Sequence, residues 1–512
     1  MAGGLRHPYL RGHCTSRSNL NKNGGRIMFE YRAFALRKLV SIAPRYLPFA
    51  DVATKEVPLS RLLRLSLFQV TVGMAIVLLV GTLNRVMIVE LSVPATLVAM
   101  MLALPLLFAP FRTLIGYKSD VNVSALGLRR VPFIWKGTLY QFGGFAIMPF
   151  ALLVLSGYGE AVDAPRWMGL SAAALAFLLV GAGVHMVQTV GLALATDLVA
   201  DEDQPKVVGL MYVMLLVGMV LSALVFGTLL ENYTPGRLIQ VIQGAAVMTV
   251  ALNLFALWKQ EARDRVRAQK MQTAQHAPFR ETLAELVQKP GRKRLLVVIA
   301  LGTFGFGAAD VLLEPYGAQA LGFSVAETTR LTALLAGGTL IGFGIASRVL
   351  SENGAATRLG LIGALIGIPG FSGIILSAFG GGAPLFLAGT LATGIGAGLF
   401  GHATLTATMR SAEREQIGLA LGTWGAVQAT AAGVGVALAG IVRDIIVNMS
   451  TYADLPAHAP YNAVFLIEIV FLALACATLI PLCGKARTAQ HPGIHPSKRS
   501  IPDPHPKSAE AS

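Results

Sequence analysis

Residues 62–83 read LLRLSLFQVTVGMAIVLLVGTL, 22 positions with a single charge, Arg64, near the start. A segment of about 20 apolar residues is long enough to cross a hydrocarbon core ~30 Å thick. Comparable runs recur at 93–115, 131–156, 165–190, 206–230 and 237–257, and again at 295–313, 325–347, 357–379, 384–408, 416–442 and 461–482. Lipid offers no water to the backbone, so every N–H and C=O in such a run must be paired within it, and the runs are helices. The sequence predicts an all-α membrane protein with about twelve transmembrane helices.

Composition agrees with that reading. Hydrophobic residues make up 54% of the 512-residue chain and charged residues 13%, against roughly 25% charged in soluble domains. The net charge of +15 would suggest nucleic acid as a partner in a soluble protein. Here the cations flank apolar runs, where the positive-inside rule accounts for them, and nucleic acid is excluded as a partner. Cys14, Cys476 and Cys483 have neither the spacing of a disulfide framework nor that of a metal site.

The cations also divide the chain. Residues 1–27 lack an apolar core and read as a disordered extension rather than a signal peptide. Residues 28–60 open with MFEYRAFALRKLVSIAPRYLPF, where Phe34, Leu36, Leu39, Val40 and Ile42 alternate with Arg32, Arg37, Lys38 and Arg45. That pattern is a basic amphipathic segment lying on anionic membrane lipid. A six-helix half over 61–258, a basic linker over 259–294, a second half over 295–483 and a disordered tail over 484–512 complete the plan. Cations fall in the tails, the linker, the loop with Lys118, Arg129 and Arg130, and beside Arg348, Arg358, Arg410 and Arg414, all on one side. That side is predicted to be cytoplasmic, with both termini there, because the opposite loops at 157–164, 231–236 and 380–383 carry no cation.

The halves echo each other. Gly-Ala-Gly at 181–183 and 396–398 is followed in each case by a histidine, His185 and His402. Gly116, Asp120, Gly127, Arg129 and Arg130 form a loop that resembles the G-x-x-x-D…G-R-R signature of the major facilitator superfamily, interrupted by residues 121–126. Asp120 is expected to pair with Arg129 or Arg130 there, although the basic residue usual directly after the aspartate is missing.

Longer strings are more particular. RLLRLSLFQVTVGM (61–74), GTLNRVMIVELSVPA (81–95), LPLLFAPFRTLIGYKSD (104–120), RRVPFIWKGTLYQFGGFAIMP (129–149), QTVGLALATDL (188–198), DVLLEPYGAQ (310–319) and YNAVFLIEI (461–469) resemble the PucC/LhaA family of photosynthetic bacteria. The resemblance implies an assembly factor for light-harvesting complexes in the bacterial cytoplasmic or intracytoplasmic membrane. It further implies bacteriochlorophyll, or its immediate precursor, as the group carried. Antenna polypeptides would be the partners, with pigment-synthesis enzymes and protein-insertion machinery beside them.

Several polar residues sit in or beside the apolar runs. Asp310 and Glu314, spaced i, i+4, share a helix face. With Asn84, Arg85, Glu90 and Glu468 they fall toward the outer ends of their helices, and read either as a polar network closing that side or as a proton or ligand site. His185 and His402 fall toward the cytoplasmic ends. Each reads either as an axial ligand for a pigment magnesium or as a histidine bonded across helices, His185 beside Gln188 and Thr189. No nucleotide loop, zinc-protease motif or nucleophile elbow is present, so no enzyme is expected. Against antenna assembly stands a proton-coupled transporter of a small amphipathic molecule, which would rest on the fold and the carboxylates.

Overall fold

The computed structural model describes residues 57–107, 112, 115, 118–119, 128–157, 161, 163–200, 203–261, 291–307, 309–351, 355–411, 417–453 and 455–490. Among them there are twelve helical segments and no strand. They are α1 (Leu59–Glu90), α2 (Ala95–Leu107), α3 (Val131–Ser156), α4 (Arg166–Thr196), α5 (Gln204–Leu229) and α6 (Pro235–Leu257). The second set is α7 (Arg292–Leu321), α8 (Val325–Ser351), α9 (Ala356–Leu376), α10 (Gly382–Ser411), α11 (Ile417–Ala453) and α12 (Ala459–Gln490). Ten continuous helical runs are long and apolar enough to span a membrane. The run from Ala356 to Ser411 divides into α9 and α10 where Gly380 (φ 114°) and Gly382 (φ 57°) turn the chain back. Side-chain-bearing residues rarely adopt such φ values. The shorter α2, 13 residues, is the twelfth segment.

Several helices overrun the apolar stretches that predicted them. α1 continues to Glu90 through π-helical turns at Val77–Leu83 and Val86–Glu90. α12 reaches Gln490, so residues 484–490, expected in the disordered tail, are helical. Hydropathy ends where the hydrocarbon ends, but the i→i−4 ladder extends into water at no cost in backbone pairing. Residues 1–56 and 262–290, which hold most of the amphipathic segment and the linker, lie outside the described residues.

α1 is the most enclosed helix: 83% of its apolar window is buried, against 39–56% for the others. A helix that is apolar all round belongs inside a bundle. Gly73 lets α1 approach the backbone of α5 at Leu215 and Met219. α3 packs on α4 and α6, α9 on α10 and α12, and α7 on α11 and α12. The broadest seams between the first six helices and the second six are α2 against α11 and α5 against α8, and α1 also meets α7 and α8. At the first seam a Cβ on Gly440 would stand 2.5 Å from the Ala99 Cβ and 2.8 Å from the Ala95 carbonyl, so only glycine permits that approach.

Candidate functional site

Among the described residues, the two ends of the bundle differ in how the halves meet. The end where α1 finishes, here called distal, is joined across the halves by polar contacts. Thr82 and Thr329 hydroxyls lie 3.2 Å apart, and the Asn84 amide donates to the Val311 carbonyl at 2.5 Å. Arg85 donates to the Phe323 carbonyl at 3.4 Å, and Arg330 pairs with Glu231. Asp444 on α11 accepts the N–H groups of Thr96 at 2.7 Å and Ala95 at 3.3 Å. It thus caps the start of α2 with a negative charge, which the helix dipole favours. Arg443 donates to Asp444 at 2.8 Å and to Gln319 at 3.1 Å, and the Tyr461 hydroxyl donates to Gln319 at 2.7 Å.

The carboxylates expected as one network take separate partners. Arg85 and Glu90 form an ion pair at 2.5 Å. Glu314, 2% exposed, accepts from the Thr332 hydroxyl against the bare face of Gly81, and its second oxygen has no hydrogen-bond partner. Glu468 accepts the Ala309 N–H at 3.0 Å. Asp310 is helical, but its side chain lies outside the described residues.

At the opposite, proximal end, Arg129 and Arg130 bind Asp197 at 2.7 and 2.9 Å, and Arg130 donates to Ser119 at 2.9 Å. Glu261 caps α3 by accepting the N–H groups of Arg129, Arg130 and Val131 at 2.8, 2.9 and 3.0 Å. Gly116, Asp120 and Gly127 fall outside the described residues, so the expected Asp120 pairing does too.

Between these ends, toward the proximal side, lies a cluster that the sequence reading passed over. Arg112 donates through Nε to the Thr189 hydroxyl at 2.9 Å and through Nη2 to the Gln188 amide oxygen at 2.9 Å. Gln188 and Thr189, expected on the same helix face as His185, both accept from Arg112. His185 lies within electrostatic range of Arg112, and its Nδ1 has no hydrogen-bond partner. Tyr212 of α5 is also in range of Arg112. Its ring meets Phe343 of α8 and Trp424 of α11, each with centroids 6.5 Å away, and so crosses the seam. The imidazole of His402 sits 4.2 Å from the Phe343 ring. One signal could have found this cluster: Arg112 is a cation within the apolar run 93–115.

The model of the PUCC protein family matches residues 82–487. The chain belongs to that family. It is 69% identical over 454 residues to Protein PucC of Rhodobacter capsulatus, covering 88% of this chain and 98% of that one. It is 61% identical to Protein PucC of Rhodovulum sulfidophilum, over 84% and 94% of the two chains. A more distant relative is the Bacteriochlorophyll synthase 44.5 kDa chain of Rhodobacter capsulatus, 27% identical over 73% of this chain and 85% of that one. Among solved structures, the nucleoside transporter NupG aligns with a TM-score of 0.62 at 13% identity, over 82% of this chain and 99% of its own. A bacterial homolog of the human lysosomal transporter Spinster aligns with a TM-score of 0.59 at 15% identity, over 82% and 95%. At such identities the likeness shows the fold: this PUCC protein is a multi-pass membrane protein with the architecture of major facilitator transporters.

Proposed function

We propose that this protein is an assembly factor for bacterial light-harvesting complexes, delivering bacteriochlorophyll to antenna polypeptides or chaperoning them in the cytoplasmic or intracytoplasmic membrane. The observation that carries the reading is the 69% identity to Protein PucC over nearly that protein's whole length. The proximal end is cytoplasmic on this reading, consistent with Lys118, Arg129, Arg130, Arg348 and Arg410 gathered there. The protein acts by binding, without a catalytic step of its own.

A magnesium macrocycle needs an imidazole nitrogen with an open face beside it. His185 fits that need better than His402: it is half-buried, whereas His402 is 6% exposed with its ring against Phe343. Two shallow clefts, one beside Arg292, Thr408 and Thr423 and one beside Val86, Leu152 and Tyr233, include neither His185 nor His402. Pigment entry on this reading requires the halves to part near Tyr212.

The test is purification in mild detergent from a pigment-making cell, with the absorption spectrum and co-purifying polypeptides recorded. Bacteriochlorophyll absorption or antenna polypeptides travelling with the protein support the reading; their absence from both measurements overturns it. A second reading, a proton-coupled transporter, is favoured by the buried Glu314 with one oxygen free of partners. Substrate uptake into vesicles that collapses with the proton gradient and with Glu314→Gln would support it.

A further inference from the structure

We propose that Arg112, held by Gln188 and Thr189 and faced by His185 and Tyr212, is a binding site for a carboxylate carried on a flat, apolar or aromatic body. The proposal rests on the pigment reading only for which such body is bound in the cell.

The argument starts from the charge. A guanidinium has five donors. Among the described residues, Arg112 meets only two neutral acceptors, the Thr189 hydroxyl and the Gln188 amide, and no carboxylate. An unneutralised cation within a membrane bundle is costly, and in a chain of this class it is a functional-site hypothesis by default. Two buried arginines are treated differently: Arg85 has Glu90, and Arg443 has Asp444. Arg112 meets no carboxylate among the described residues, and the two neutral bonds fix the plane of its fork.

The surroundings select the rest of the ligand. His185 places a buried Nδ1 without a hydrogen-bond partner beside Arg112. Arg112, His185, Thr189 and Tyr212 all keep partial solvent accessibility. Tyr212, Phe343 and Trp424 form an aromatic wall contributed by both halves. Such a wall stacks on a planar body, while the guanidinium takes a carboxylate in a bidentate, charge-assisted pair. A carboxylate on a planar body satisfies both at once; its neutral ester satisfies only the wall. If pigment is the cargo, the form recognised is a free acid rather than an ester.

The test uses the purified full-length chain in nanodiscs of zwitterionic lipid. Two probe pairs differ only in charge: protoporphyrin IX with its dimethyl ester, and pyrenebutyrate with pyrenebutanol. Fluorescence titration should show the acids binding about tenfold or more tightly than their neutral partners, the size expected of a charge-assisted pair. Arg112→Gln should bring acid and neutral forms within about twofold while leaving the neutral affinity unchanged, and Arg112→Lys should retain part of the preference. Tyr212→Leu should weaken both members of each pair alike. Equal binding of acid and neutral forms by the unaltered protein, or an undiminished preference in Arg112→Gln of unchanged elution profile, overturns the proposal. Displacement of pyrenebutyrate by phosphatidylglycerol also overturns it, assigning Arg112 to a lipid headgroup. A preference kept for pyrenebutyrate with no binding of either porphyrin supports the carboxylate site and counts against pigment as its cargo.

Discussion

At the scale of single residues, the contact that matters for Glu314 is with a residue that is not there. Gly81 presents bare backbone, and a Cβ at that position would stand 2.5 Å from the Glu314 Oε1 and 2.9 Å from the Thr332 hydroxyl. Gly81→Val should displace the carboxylate from Thr332 and lower stability by about 1–3 kcal/mol, the range for a buried acceptor losing its donor. The measurement is a thermal melt in detergent, with Thr332→Val as the comparison; a melting point unchanged in Gly81→Val would show that Glu314 has room to move. The sequence reading paired Glu314 with Asp310 because i, i+4 neighbours share a face. Its hydrogen-bond donor, Thr332, lies on another helix, 18 residues on. Spacing along one helix is visible in a sequence, whereas the register of one helix against another is a product of packing. Arg112 was missed for the same reason, since nothing in its own stretch announces Gln188 and Thr189.

At the scale of elements, α2 is short and its start depends on another helix. Asp444→Ala should cost about 1–2 kcal/mol by uncapping Ala95 and Thr96, whereas Asp444→Asn, which still offers an oxygen, should cost less. Gly440→Leu, at the same seam, should also lower the melting temperature. The pair should be non-additive, because both act on the approach of α2 to α11. A strictly additive double variant would mean the two sites do not share that contact. Glu261→Ala should likewise cost about 1 kcal/mol by freeing the first N–H groups of α3. The existence of these helices was legible because a run of apolar residues admits no other structure in lipid. Their ends were not: α1 runs on to Glu90 and α12 to Gln490, where capping and solvent rather than hydropathy set the boundary.

At the scale of the molecule, the family and the transporter architecture were both readable from long strings such as RRVPFIWKGTLYQFGGFAIMP, while the contrast between the two ends of the bundle was not. Loss of the protein should lower assembled light-harvesting complex without abolishing bacteriochlorophyll synthesis, measured by near-infrared absorption of membranes against total extracted pigment; loss of the pigment itself would point to a biosynthetic role. A reporter fused after Gln490 and active only in the periplasm should stay silent. The distal staples, from Thr82 and Asn84 to Glu231 and Asp444, have a mechanical consequence. A clamshell bonded along one rim swings open at the other, here at the lips formed by Tyr212, Phe343 and Trp424. On the delivery reading proposed above, cargo admitted through those lips would leave by them, and the protein would work as a one-sided shuttle rather than a conduit. Release would then be driven by the affinity of the receiving partner, with no ion gradient spent.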